Sequence, residues 1–358
     1  REAYATSSRL APTEAEPLRG LALVDRERGD VARAIRGLEY AIRLAPSYAQ
    51  LYLDLGVCHD YREERELAMR AYASVVSLGA ELAPQATYLH GRAAKSMCLW
   101  RGREAQLARV RDTLATPDGA AALRVDPVAS LSSPATPAEM LAVASAAVRA
   151  KLAESASADV AAPPLASRRP AGSASPLRVG FVSSYFRDHN LLRLTRGLFR
   201  SLDRRHFHVA LFAESADDSS DIAREVRAAA QSFVRVRDMS TPDAMRALRA
   251  ERLDLALNLN GHHWNAAAET VRFGLFRLGA APVQAHYMGY PGPLGAPFIR
   301  YTYVDARAVG ASVGPAAAAR GFLERFVLMP DSYYLNDYAA SWPTLRADAH
   351  TPAAARAD

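Results

Sequence analysis

A single histidine, His189, stands where a predicted strand gives way to a predicted helix. The apolar run Leu177–Ser184 ends in two serines, and the amphipathic stretch Leu191–Leu202 begins just after the histidine. The positive end of a helix dipole disfavours added positive charge, so an imidazole there tends to stay neutral. A neutral imidazole can accept a proton or a hydrogen bond from a substrate hydroxyl. His189 is therefore a candidate catalytic residue, and a capping or surface histidine is the alternative.

A second polar cluster, Asn258–His263, closes the apolar run Leu253–Leu259. Amide and imidazole groups suit hydrogen bonding to sugar hydroxyls or phosphate, which makes Asn260, Gly261 and His262 candidate substrate-binding residues. A metal site has little support, because the adjacent histidines lack helical ligand spacing and no acidic or cysteine cluster lies nearby. A plain polar turn is the alternative.

The third candidate segment is a turn rich in glycine and proline, Gly289–Gly295. Glycine lets main-chain N–H groups approach a ligand closely, and proline presets the backbone. A turn with no binding role is the alternative. The chain has no Gly-x-Gly-x-x-Gly pattern after a strand, so a dinucleotide-dependent dehydrogenase has little support.

These segments need a sheet to bring them together, and from Leu177 onward apolar runs alternate with helical patterns. Such alternation predicts a parallel sheet with right-handed crossovers, whose ligand site lies beyond the carboxyl ends of the strands. The predicted strands are Leu177–Ser184, Phe207–Ala213, Phe233–Val236, Leu253–Leu259 and Pro282–Met288. The predicted helices between them are Leu191–Leu202, Asp221–Gln231 and Pro242–Glu251.

An internal repeat with an offset of 34 residues precedes the sheet region. When residues 15–48 are set above 49–82, large and small apolar positions coincide, as with Ala34 above Ala68 and Leu38 above Tyr72. This is the tetratricopeptide pattern of stacked antiparallel helix pairs, and a degenerate third pair follows from Pro84 to about Asp112. An ordinary helical bundle is the alternative.

Composition excludes several classes of protein. The chain has 358 residues, 50% hydrophobic and 23% charged, which fits two or three globular domains and not a disordered chain. No apolar run approaches the ~18 residues of a membrane span. The net charge of +6 comes almost wholly from arginines dispersed along the chain, which gives nucleic-acid binding little support. The two cysteines, Cys58 and Cys98, form no disulfide framework and fit a reducing compartment.

The chain resembles the protein O-GlcNAc transferases, including the related plant SPINDLY type, in its repeats and in its α/β region. The matching segments keep their order and spacing over roughly residues 177–337. They are Leu177–His189, Asp217–Ser219, Asn258–Gly261, Ala281–Gln284, Tyr287–Gly292 and Pro330–Tyr333.

This resemblance implies a fold and an activity. The fold is an α-helical tetratricopeptide repeat array followed by an α/β Rossmann-like lobe, which is half of a GT-B glycosyltransferase. The activity is inverting transfer of N-acetylglucosamine from UDP-GlcNAc to Ser or Thr of cytoplasmic or nuclear proteins, with no metal or other cofactor. The repeat groove would hold the acceptor protein or peptide, and neither nucleic acid nor a membrane is an expected partner.

The resemblance also assigns site residues. His189 matches the active-site histidine at the junction of acceptor and sugar. The residues that match the loop lining the sugar pocket are Met288, Gly289, Tyr290, Pro291 and Gly292.

Several positions depart from the family pattern. Tyr185 replaces an aspartate that is one proposed proton relay, Asn190 replaces a proline, and Arg193 replaces a second histidine. Pro293 replaces the threonine of the sugar-pocket loop, and Gly261–Ala281 is longer than usual. Tyr185 and Arg193 favour a non-catalytic peptide-binding scaffold, whereas His189 favours an enzyme. An O-fucosyltransferase of the same family is the third alternative.

The expected domains are helical repeats at 1–112, a helical connector and Ala/Ser/Pro-rich linker at 113–176, the first catalytic lobe at 177–345 and a tail at 346–358. A connector helix is expected at Pro137–Ser155. The chain stops at Asp358, so we expect it to lack the second lobe, which in the family carries the uridine pocket and the diphosphate-binding lysine.

Overall fold

The computed structural model describes residues 14–116, 118–131, 135–154, 170, 173–262, 273–309 and 321–338. The chain divides into two compact units, Arg1–Val125 and Asp126–Asp358. None of the helices in these ranges is both long and apolar enough to cross a bilayer.

The first unit consists of antiparallel helix pairs. Its helices are α1 (Ala15–Glu27), α2 (Val31–Leu44), α3 (Ala49–Tyr61), α4 (Arg65–Ser77), α5 (Ala83–Ser96), α6 (Arg103–Leu114) and the short α7 (Gly119–Leu123). The first helix of each pair begins 34 residues after the previous one, at Ala15, Ala49 and Ala83. The predicted repeat offset is therefore confirmed.

Close packing within the second pair depends on a residue without a side chain. A Cβ atom built on Gly56 would lie 2.4 Å from Cε1 of Tyr72, so α3 and α4 approach as near as glycine allows. Tyr72 is fully buried, and its hydroxyl donates to Asp60 at 3.0 Å. Asp60 also accepts from Arg92 of α5 at 2.7 Å, which ties the second pair to the third.

The third pair departs from the repeat. The 34-residue offset from Arg65 would start α6 at residue 99, but α6 starts at Arg103. The turn between α5 and α6 contains two residues with positive φ, Cys98 (56°) and Gly102 (77°). No side chain of α6 is buried among the described residues, so this helix contributes less to the core of the array than the helices before it.

The second unit is an α/β fold on one parallel sheet. Its helices are α8 (Pro127–Ser130), α9 (Pro137–Glu154), α10 (Asn190–Ser201), α11 (Asp221–Ala228), α12 (Thr241–Ala250) and α13 (Phe273–Arg277). Its strands are β1 (Leu177–Ser183), β2 (Phe207–Ala213), β3 (Ser232–Arg235), β4 (Leu255–Asn258), β5 (Val283–His286), β6 (Tyr301–Asp305) and β7 (Arg325–Met329). The strand order is β3-β2-β1-β4-β5-β6-β7, and every pairing is parallel.

All five predicted strands and the predicted helices between them are present. The strand predicted to reach Met288 ends at His286, because Met288 adopts a left-handed backbone (φ 64°). Two further strands, β6 and β7, were not predicted. The alternating, half-buried β6 and the partly exposed edge strand β7 lack the continuous apolar run of a central strand.

Two hydrophobic layers cover the sheet. One contains Phe212, Phe276 and Leu248, and the other contains Phe181, Phe199 and Leu211. Phe181 of β1 and Phe199 of α10 meet edge to face with ring centroids 5.1 Å apart. Strand order reverses between β1 and β4, and in such sheets the ligand crevice opens at the carboxyl ends of those two strands.

Candidate functional site

Asn260 joins the ends of β1 and β4. Its Oδ1 accepts hydrogen bonds from the Ser183 hydroxyl (2.9 Å) and the Ser184 N–H (3.1 Å), and its Nδ2 donates to the Ser184 hydroxyl (2.7 Å). All three residues are at most 1% exposed. The predicted substrate residue Asn260 therefore fixes the start of the segment that leads to His189.

Asn258 shapes the turn that follows β4. Its Oδ1 accepts from the N–H groups of Asn260 (2.8 Å) and Gly261 (3.0 Å). Gly261 has φ 62°, and a Cβ built on it would lie 2.4 Å from Cβ of Tyr290. Glycine is thus required there both by the backbone angle and by the close approach of the next segment.

That next segment is the loop Met288–Gly292, which packs on the end of β4. A Cβ on Gly289 would lie 2.0 Å from the Leu259 carbonyl oxygen. Met288 and Tyr290 are buried, whereas Pro291 is exposed. The structure therefore brings Asn260 and Gly261 against Gly289 and Tyr290, as the sequence predicted for segments at one sheet edge.

His262 lies inside the protein. It is 1% exposed, its Nε2 donates to the Leu294 carbonyl at 2.8 Å, and its ring contacts Phe273 and Tyr290. Burial, with a smaller contribution from the Lys151 charge, lowers its pKa to about 3. The ring is therefore neutral and holds the far end of the glycine-rich turn. Its neighbour His263 lies outside the described residues.

Two residues that the sequence did not single out also hold this turn. Glu324, 3% exposed, accepts the Leu294 N–H at 2.8 Å, and burial raises its pKa. His286 has ring nitrogens near the carbonyl oxygens of Asn258 and Tyr290. The one sequence signal for His286 is a polar residue inside a predicted buried strand.

A cavity of about 220 Å³ lies beside the Met288–Gly292 loop. Its lining includes the loop residues Met288, Tyr290, Pro291 and Gly292. Aromatic side chains of Tyr303, Phe322 and Tyr333 also line it.

His189 is the N-cap of α10. Its Nδ1 accepts the Leu191 N–H at 3.1 Å, so the neutral ring carries its proton on Nε2. In this tautomer the imidazole offers a hydrogen-bond donor and not a base. The side chain is half-buried, and the capping alternative is compatible with a catalytic role because the two functions use different nitrogens.

Tyr185, the residue that replaces the family aspartate, stacks on His189. The two rings are 4.0 Å apart at an angle of 20°, and Tyr185 is 2% exposed. The guanidinium of Arg187 lies 5.7 Å from the centre of the Tyr185 ring. Tyr185 therefore fixes the plane of the imidazole. The sequence comparison, which noted only that Tyr185 replaces an aspartate, did not predict this role.

Arg193, which replaces the family's second histidine, forms a two-pronged ion pair with Asp188. The distances are 2.8 Å from Nε to Oδ1 and 3.0 Å from Nη2 to Oδ2. The Arg193 guanidinium lowers the pKa of Asp188. The Asp188 N–H donates to the Asp218 carboxylate. The turn before His189 is therefore stabilised both by this bond and by the Arg193 ion pair.

Among the described residues, no group of three or more His, Cys, Asp or Glu side chains is placed to hold a metal ion. The candidate site lies at the switch point of the parallel sheet, where buried amides and backbone turns join the ends of β1 and β4, and His189 caps the helix that follows β1. Ligands of open α/β sheets, dinucleotides among them, bind at such a switch point.

Comparison with known proteins agrees with this geometry. The model of glycosyl transferase family 41 matches residues 124–356. The chain is 32% identical over 162 residues to a probable UDP-N-acetylglucosamine–peptide N-acetylglucosaminyltransferase SEC of Arabidopsis thaliana. The aligned segment covers 45% of this chain and 16% of that protein. It is 27% identical over 164 residues to the UDP-N-acetylglucosamine–peptide N-acetylglucosaminyltransferase of Caenorhabditis elegans. That aligned segment covers 46% of this chain and 13% of the nematode protein.

A solved structure of a mutant O-GlcNAc transferase from Thermobaculum terrenum has the same fold. It aligns with a TM-score of 0.58 at 20% identity, over 90% of this chain and 58% of that one. The family match defines a glycosyltransferase domain over residues 124–356. The chain belongs to glycosyl transferase family 41. Its matches to the two curated relatives span about one-sixth of their length or less.

Proposed function

We propose that this chain contributes the repeat array and the first catalytic lobe of a protein O-GlcNAc transferase. The proposed reaction transfers N-acetylglucosamine from UDP-GlcNAc to a Ser or Thr hydroxyl with inversion. The family 41 match over residues 124–356 carries this proposal, and the names of the plant and nematode relatives support the donor and the acceptor class.

In the proposed reaction the sugar carbon becomes cation-like as its bond to the UDP oxygen breaks, the acceptor oxygen bonds to that carbon, and the hydroxyl proton passes to an oxygen of the departing diphosphate or to water. The Met288–Gly292 loop would line the sugar pocket, and Asn260 would keep the ends of β1 and β4 in register beneath it. His189 would donate its Nε2–H to an oxygen of the acceptor or the sugar, which positions the reacting groups. The diphosphate needs compensating donors, which we expect from a second lobe.

The proposed acceptors are proteins or peptides bound in the repeat groove. Stacked helix pairs of this kind leave an extended concave surface suited to a polypeptide. Both cysteines are free thiols, which fits a reducing compartment, and we propose the cytoplasm or nucleus as the location.

A transfer assay tests the function. The protein as its organism makes it would be incubated with radiolabelled UDP-GlcNAc and, separately, with GDP-fucose, in the presence of a dephosphorylated protein extract. We expect label from UDP-GlcNAc alone, released by β-elimination as an O-linked sugar. Label from GDP-fucose would favour the O-fucosyltransferase, and peptide binding without label from either donor would favour the scaffold.

A further inference from the structure

Both ring nitrogens of the buried histidine His286 face carbonyl oxygens. His286 is the last residue of β5 and is 2% exposed. Nδ1 lies 2.9 Å from the Asn258 carbonyl oxygen at the end of β4, and Nε2 lies 2.8 Å from the Tyr290 carbonyl oxygen in the loop. The imidazole therefore spans the gap between the sheet and the Met288–Gly292 loop.

A neutral imidazole carries one N–H and can donate to only one of these two carbonyls. Burial lowers the pKa of His286, although the carbonyl contacts oppose that shift, so the ring is neutral at pH 7. The neighbouring His262, whose pKa is about 3, is neutral as well. The position of the single ring proton therefore decides which of the two carbonyls accepts a hydrogen bond from His286.

That proton is better placed on Nε2. The Asn258 carbonyl already accepts the Tyr287 N–H at 3.0 Å, so a proton on Nδ1 would add a second donor to an oxygen that is already bonded. A proton on Nε2 instead ties the Tyr290 carbonyl, and with it the loop, to the sheet.

The loop needs such a tie. Met288 and Gly289 both have left-handed backbones, with φ of 64° and 40°. A non-glycine residue in that region persists only where its surroundings fix it. The cavity of about 220 Å³ borders His286, Met288 and Tyr290, so the loop has open space on this side, although its other side packs on the end of β4.

We propose that His286 is a positioning residue: the Nε2–H that it donates to the Tyr290 carbonyl holds the Met288–Gly292 loop in its binding geometry. The contact between Nε2 and the Tyr290 carbonyl does not depend on what the loop binds. That the loop receives the donor sugar rests on the proposed function.

Two amide variants, glutamine and the one-methylene-shorter asparagine, separate the two nitrogens. The amide nitrogen of glutamine reaches the position of the imidazole Nε2, and that of asparagine reaches the position of Nδ1. His286→Gln can therefore still donate to the Tyr290 carbonyl in the loop, whereas His286→Asn can donate only to the Asn258 carbonyl at the end of β4. Because asparagine also leaves part of the core unfilled, the tautomer of the unaltered protein separates a lost hydrogen bond from lost packing.

The first readout is hydrogen–deuterium exchange at the Met288, Gly289 and Tyr290 amides of the full chain. We expect His286→Gln to match the wild type within about twofold, and His286→Asn to exchange roughly three- to tenfold faster, as expected for one lost hydrogen bond. Amides of β2 should not change in either variant. Equal exchange in both variants, whether slow or fast, would overturn the proposal.

A second readout needs no variant and so does not depend on how well either one folds. In the unaltered protein with ¹⁵N-labelled histidine, two-bond ¹H–¹⁵N spectra report the tautomer of each ring. We expect the Nε2–H form at His286, and an Nδ1–H form would contradict the proposal.

The link to the sugar is tested separately with UDP-GlcNAc. We expect His286→Asn to raise KM for the donor several-fold with a smaller change in kcat, and His286→Gln to restore KM. An unchanged KM alongside loosened loop amides would overturn the sugar claim alone. If the wild type transfers no sugar, the proposed function fails while the exchange and tautomer results still decide the loop claim.

Discussion

Asn260 and Ser184 exchange two hydrogen bonds across 76 residues of sequence, one from the Ser184 N–H at 3.1 Å and one to the Ser184 hydroxyl at 2.7 Å. The pair joins the strands on either side of the switch point, where the crevice opens. Because both residues are buried, the bonds are shielded from water, and leaving either group unsatisfied is costly.

Asn260→Asp should destabilise the second unit by about 2–4 kcal/mol. An ionised aspartate cannot donate to the Ser184 hydroxyl, and it places a charge at a site that is 1% exposed. Urea unfolding followed by tryptophan fluorescence or circular dichroism would measure the loss. Asn336→Asp, at an exposed position, is the matched control and should leave the midpoint unchanged. A variant as stable as the wild type would mean that the Asn260 bonds contribute little.

His189→Asn should separate capping from chemistry. The asparagine oxygen can accept the Leu191 N–H as Nδ1 does now, so stability should change by only a few tenths of a kcal/mol. Transfer should fall by up to about 10²-fold, because the Nε2–H that positions the reacting groups is gone. His189→Ala should lose both the cap and the activity. Full transfer by His189→Asn would assign the residue to capping alone.

Tyr185→Phe and Tyr185→Asp test the ring beneath His189. Phenylalanine preserves the stack at 4.0 Å, so transfer should stay within about twofold of the wild type. Aspartate restores the family residue and, in a working site, should raise the rate. It also removes a buried ring, so the melting temperature should fall. Loss of transfer in Tyr185→Asp without unfolding would show that the stack has replaced the carboxylate in this chain.

Gly56→Leu should destabilise the helical array by about 1–3 kcal/mol, because the space above Gly56 is filled by the Tyr72 ring. Gly37→Ala is the matched control. A Cβ on Gly37 would lie 3.5 Å from Cβ of Ala22, an ordinary contact, and alanine favours a helix by up to about 1 kcal/mol over glycine. Thermal melts of the two variants should therefore shift in opposite directions. A melt of Gly56→Leu like that of the wild type would argue against this helix crossing.

Stability should decline as pH falls below about 6.5, where histidine protonates in the unfolded chain. The folded-state pKa of His262 is about 3, so between pH 6.5 and 3 this histidine is protonated in the unfolded chain and neutral in the folded protein. The free energy of unfolding should then drop by up to about 1.4 kcal/mol per pH unit between these values. His262→Gln, which keeps a donor for the Leu294 carbonyl, should reduce this slope between pH 6.5 and 5, and His286, whose pKa is also lowered by burial, should contribute to the slope that remains. His206→Gln, at an exposed histidine, should not.

The central strands and the meeting of three polar segments at one sheet edge could be predicted from sequence, because buried parallel strands read as apolar runs and their ends share an edge. The contacts within the site could not. His286 contacts the backbone carbonyl of Tyr290, and because every residue has such a carbonyl, the sequence gives no sign of this contact. From the sequence, Tyr185 indicated only the loss of a family aspartate, whereas in the structure its ring stacks on His189. The edge strand β7 is partly exposed and carries no central-strand signal.

The wide sequence separation of the site contacts has a kinetic consequence. Within the array, each helix packs mainly on its neighbours in sequence, whereas the Tyr290 hydroxyl bonds to the Pro127 carbonyl 163 residues earlier. Local contacts form quickly, and distant ones wait for the chain to close large loops. As the chain leaves the ribosome, the helix pairs can therefore fold while the sheet edge is still unsynthesised. We expect substitutions at Asn260 to accelerate unfolding more than they slow folding, since their partners meet late.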